Sequence, residues 1–232
     1  MSSAPSAPGD DPRSGTARVF VRPYANPLPL GFFSFGIGMV VLAGIGLGLI
    51  EPGPQVRAAG ILLAGFVFPL EFLAAVMAFL TRDTGAATAL GLFATSWLGL
   101  GALHIAAPAQ QTSTAVGMFL AAFAVMLVPI AVAGFMGKTL LGMVLTVSSL
   151  RAALAAAFQL GAPQALESAN AAAAFLLFAL SVYAGTAFLV EDMRQQTVLP
   201  ILRRGEARRA LADELAGQYG RLPLEPGVRR QL

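Results

Sequence analysis

The stretch LGFFSFGIGMVVLAGIGLGLI, Leu30 to Ile50, contains no charged residue and only one hydroxyl, that of Ser34. About 20 consecutive apolar residues suffice for an α-helix to cross the hydrocarbon of a bilayer. A helix on the surface of a soluble protein is apolar along one stripe; this one is apolar all round, which assigns it to lipid or to a fully buried position. Working outward from it, further runs of the same kind cover Ala58 to Leu80, Gly85 to Ala106, Thr114 to Met136, Thr139 to Leu160 and Ala171 to Val190. The expected fold class is therefore all-α, a polytopic membrane protein with six transmembrane helices. The connections read EPGPQVR, TRDT, APAQQTS, a Gly137-Lys138 turn and GAPQALES. Links so short make neighbouring helices antiparallel and leave no room for a folded domain between them.

Composition points the same way. Hydrophobic residues make up 56% of the chain and charged residues 12%, with a mean hydropathy of +0.73. Soluble domains carry about 25% charged residues. Cysteine is absent, and one histidine is too few for a zinc site. No nucleophile–base set, phosphate-binding loop or dinucleotide fingerprint is present, so neither an enzyme nor a cofactor is expected. The formal charge of +3 is no sign of nucleic-acid binding, because the arginines cluster beside the ends of predicted spans.

That clustering sets the topology. Arg13, Arg18 and Arg22 precede the first span, Arg82 and Lys138 sit in the second and fourth connections, and eight arginines from Arg194 to Arg230 follow the last. With six spans these all share one face, whereas the other holds Arg57 with Glu51 and Glu167. The positive-inside rule then places both termini in the cytoplasm, and the heavy use of Ala and Arg with a single Lys makes the inner membrane of a bacterium the expected setting. Three regions follow: a disordered N-terminal tail (1–25), a transmembrane domain (26–200) and a cytoplasmic C-terminal tail (201–232). In the last, Leu211, Leu215 and Tyr219 recur at helical spacing. This fits either a short surface helix or a solvated tail.

Several residues stand out against the apolar background. Asn26-Pro27-Leu28-Pro29 brings the chain extended to a helix start, where Asn26 either caps the helix or greets an anion. Gly44 and Gly48 fit the small-xxx-small pattern of closely packed spans. Glu71 and Arg151 are charges placed mid-span, at roughly 2.5–3.5 kcal/mol each on insertion scales. Such groups face a partner or a pathway, so the two form a mutual ion pair or line a route for an anion and a proton. His104 reads as an interfacial polar residue before a proton relay.

NPLPLGF, Asn26 to Phe32, resembles the NPAPLGL signature of the acetate uptake transporters, the succinate–acetate permeases of bacteria and fungi. Asp83-Thr84, Thr88-Ala89 and Trp97 resemble that family's third-helix motif, and Tyr183 with Thr197-Val-Leu-Pro200 its sixth-helix end. The resemblance implies transport of acetate and similar small monocarboxylates, possibly succinate, proton-coupled or channel-like. It also implies a homo-hexamer with one pore per protomer. The family's narrow point of Phe, Tyr and Leu falls on Phe35, Phe93 and Leu150, and its second-helix Gln on Glu71; Arg151 has no counterpart. Alternatives are a pore for a small neutral solute (water, ammonia or urea) and a membrane scaffold without flux.

Overall fold

The computed structural model describes residues 24–110, 112–194 and 196–205. Six helices long and apolar enough to span a membrane follow one another: α1 Leu28–Gly46, α2 Pro54–Leu80, α3 Thr84–Ala106, α4 Thr114–Gly137, α5 Thr139–Gln159 and α6 Gln164–Arg194. Their apolar outer faces, with Phe79, Met118, Val125 and Met136 well exposed, suit contact with lipid. The Leu211–Tyr219 segment lies outside the described residues, as does nearly all of the expected N-terminal tail.

Local chemistry bounds α1 at both ends. Asn26 Oδ1 accepts the Leu28 N–H at 3.1 Å, and Pro29 occupies the first turn of α1, where its missing N–H costs nothing. The far end of α1 departs from expectation: the helix stops at Gly46, four residues before Ile50. Gly48, at φ +71°, takes the left-handed turn of a Schellman motif. Its N–H donates to Ile45 O, and that of Leu49 to Gly44 O. Gly44 and Gly48 are thus not a helix-packing face; beside Gly48 there is open space. Gly48 ends the helix.

The close approach lies elsewhere. A Cβ at Gly60 would sit 2.7 Å from Gly101 O, and one at Gly101 would sit 2.7 Å from Gly60 O. Here α2 and α3 touch backbone to backbone. Just beyond, α2 widens into a π-helical turn over Leu63–Val67. Pro69 lacks an N–H and its ring crowds the carbonyl of Gly65, so the backbone there re-registers instead of breaking. At the other end of the chain, α6 starts at Gln164, which places Glu167 inside a helix and not in the connection.

One face of the bundle is tied by charge. Asp83 caps α3 by accepting the Ala86 N–H and also pairs with Lys138 in the α4–α5 turn. The segment 196–205 folds back across this turn: Thr139 N–H donates to Leu202 O and Arg204 N–H to Gly137 O. Glu191, buried on α6, pairs with Arg203 and accepts from Thr197 Oγ1 at 2.8 Å. Tyr183 donates its hydroxyl proton to Pro200 O at 2.9 Å. The Thr197–Pro200 motif is therefore a strap that pins the end of α6 against α5.

Candidate functional site

At mid-depth the helices enclose an aromatic layer. Phe35 of α1 meets Phe93 of α3 edge to face, with centroids 4.8 Å apart at 74°, and Phe93 meets Phe123 of α4 at 5.2 Å and 72°. Trp97, one turn further along α3, is edge-on to Phe35 at 6.0 Å. Such T-shaped pairs set the positive edge of one ring against the negative face of the next. All four rings are buried. Gly38 makes room for the indole: a Cβ there would come within 2.8 Å of Trp97 Cη2.

A cavity lies on each side of this layer. Leu28, Phe32, Phe35, Glu71, Ala89 and Leu145 are among the residues lining a cavity of about 30 Å³. It lies towards the helix ends where α1, α3 and α5 begin, with Leu28, Ala86 and Leu141 in its lining, the side that also carries Asp83, Lys138 and the strap. Met39, Leu42, Ser96, Trp97, Ser148 and Arg151 help to line the other, of about 10 Å³, towards the opposite face. Phe93 borders both. Space of this size holds one or two water molecules.

Glu71 is fully buried, and its Oε2 accepts the indole N–H of Trp97 at 2.5 Å. Its Oε1 has no partner. Arg151 is also buried, on α5, and its Nε has no hydrogen-bond partner. The opposite charge that acts on Arg151 is that of Glu167 on α6. No ion pair joins Glu71 and Arg151 among the described residues, because Trp97 holds one and the aromatic layer separates their cavities.

Of the residues singled out from the sequence, Phe35, Phe93, Glu71 and Arg151 all lie in this layer or its two cavities. Asn26 stands further out, at the start of α1, engaged with its own backbone. Leu150 is a correction: it is 58% exposed on the outer surface of α5, because side chains two positions apart on a helix face different ways. Ser148 takes the inward position instead. Sequence reasoning also missed Trp97 as the partner of Glu71, and Phe123 as the third ring. Helical spacing from Arg151 marks Ser148 as sharing its face, a signal that was available. His104 Nδ1 lies 2.7 Å from Leu100 O, an acceptor only, so it donates to its own helix; His104 borders neither cavity.

These features define a polytopic α-helical membrane protein built round a buried aromatic layer with a cavity on either side. Residues 9–203 match the GPR1/FUN34/yaaH family, and the chain belongs to that family, the acetate uptake transporters. Its fold is similar to that in a solved structure described as the bacterial acetate channel SatP. The TM-score is 0.67 at 22% identity, covering 77% of this chain and 99% of that one. No curated protein matches the sequence.

Proposed function

We propose that this protein passes acetate and similar small monocarboxylates across its membrane, through the interior of each protomer and past Phe35 and Phe93. The observation that carries the reading is the edge-to-face contact of these two rings, with a small cavity before and behind it. An aromatic waist of this kind excludes hydrated ions and large acids, and passes a flat solute of a few heavy atoms when the rings swing apart. Family membership and the likeness to an acetate channel support the same substrate class. The path runs from the region of Asn26 through the Glu71 cavity to the Arg151 cavity; Leu150 has no part in it.

In this reading Glu71 is the group that exchanges a proton along the path, both termini are cytoplasmic, and six protomers form a ring. Basic residues on the strap side, Lys138, Arg203 and Arg204 among them, support the orientation. The deciding experiment is labelled-acetate flux into proteoliposomes at two pH gradients. Saturable uptake above that of empty vesicles is the expected result, and its absence would sink the proposal. A pore for a neutral solute is the second reading, favoured by the inner cavity, where Glu71 is the one ionisable residue of the lining. Urea or water flux without acetate flux would select it.

A further inference from the structure

The cavity lined by Ser148 and Arg151, the outer one in the proposed orientation, holds two polar side chains without partners. Ser148 is 2% exposed and Arg151 8%; neither Ser148 Oγ nor Arg151 Nε has a hydrogen-bond partner. They lie three residues apart, on one face of α5, and both line the cavity beyond Phe93. Hydroxyls within helices usually bond a carbonyl one turn back. Thr146, Ser34 and Ser181 all do so here, but Ser148 does not. Even its neighbour Ser149 finds Ala124 O on α4.

A buried guanidinium left unpaired is costly, and burial of a charge is tolerated where a partner of opposite sign arrives. Glu167 attracts Arg151 without forming an ion pair with it among the described residues; its Oε2 accepts from Asn170 Nδ2 instead. The open donors call for a small anion with acceptors spread in a plane. A carboxylate matches the fork of an arginine in this way. Met39, Leu42, Leu120 and Phe123 supply an apolar wall for a short alkyl group.

We infer that Arg151 and Ser148 form a carboxylate-binding subsite in the outer cavity, which widens from its closed volume of about 10 Å³ as the bordering rings of Phe93 and Phe123 swing aside, and where the anion of a small monocarboxylic acid rests before crossing the aromatic layer. Arg151 takes the carboxylate oxygens, and Ser148 donates a third hydrogen bond. Glu167 partly offsets the positive charge, which keeps the hold weak enough for the anion to leave, as conduction requires. The inference rests on the proposed passage of monocarboxylates.

Binding and flux are to be measured separately. Trp97, the one tryptophan of the chain, lines this cavity, so its fluorescence in detergent reports acetate binding without any transport. Arg151→Gln is expected to raise the acetate concentration at half-saturation on the order of tenfold, as loss of a hydrogen-bonded charge implies. Ser148→Ala should raise it by a few-fold. Glu167→Gln should lower it, a change of opposite sign that a merely structural role does not produce. Half-saturation within twofold of the parent for both Ser148→Ala and Glu167→Gln overturns the subsite, even where Arg151→Gln fails to fold. Chloride bound as well as acetate overturns its carboxylate character. Parent protein that binds acetate through Arg151 yet moves none leaves the subsite standing and sinks the transport reading; flux with an Arg151-independent titration does the reverse.

Discussion

The indole N–H of Trp97 donates to Glu71 Oε2 at 2.5 Å, and this bond passes through the aromatic layer: Glu71 borders the cavity on the strap side, Trp97 the cavity shared with Arg151. It is the one hydrogen bond that the Glu71 carboxyl makes, since Oε1 has none. Trp97→Phe strands both oxygens in an apolar interior, which costs about 1–3 kcal/mol or more. Trp97→Phe combined with Glu71→Leu removes donor and acceptor together. The double variant should recover most of that loss, and thermal unfolding in detergent measures it. Simply additive losses would show that the two side chains do not depend on each other.

Phe35 packs edge to face on Phe93 and touches Trp97 as well, and in the proposed passage this contact closes the waist. Phe35→Ala should open the layer, raising butyrate flux relative to acetate flux in proteoliposomes. The substitution also costs about 3–5 kcal/mol of packing, so the ratio of the two fluxes is the informative quantity, not either rate alone. An unchanged ratio takes Phe35 out of the filter.

What the sequence disclosed depended on whether the governing interaction was local. Six helices were legible because lipid demands long apolar runs, and the observed ends lie within four residues of the expected ones, except that α6 begins at Gln164, seven residues before Ala171. The errors came where local backbone chemistry overrode the run. Leu47 and Leu49 are as apolar as their neighbours, yet Gly48 turns the chain. The candidate site was legible at Phe35 and Phe93 through the resemblance, and at Glu71 and Arg151 because charge in a membrane is rarely idle. Glu71 and Arg151 offered each other the obvious partner, and sequence alone gives no distance. That Trp97 reaches Glu71 follows from how α2 and α3 dock at Gly60 and Gly101, a contact between positions far apart in the chain. Leu150 failed through register: two positions along a helix turn an inward side chain outward.

Glu71 is expected to carry the dependence of flux on pH. Its carboxyl is the one acidic group lining either cavity. Glu71→Gln keeps an oxygen for the Trp97 N–H but exchanges no proton. Vesicles containing this variant should still take up acetate, at a rate that no longer responds to an imposed pH gradient. A gradient response equal to that of the parent would move proton coupling to another group while leaving the passage itself intact.

Two glycines of α3 lie close together in sequence and should respond oppositely to alanine. A Cβ at Gly101 would fall 2.7 Å from Gly60 O and 2.9 Å from the N and Cβ of Ala64. Those are mostly backbone atoms, which yield only if α2 and α3 move apart. A Cβ at Gly99 meets nothing within 4 Å. Gly99→Ala should therefore be neutral or stabilising by up to about 1 kcal/mol, the helix preference of alanine over glycine. Gly101→Ala should lower the unfolding temperature and weaken the Trp97–Glu71 bond carried by the same pair of helices, visible as a shift in Trp97 emission. Equal stability of the two variants would mean that α2 and α3 are not held in backbone contact at this crossing.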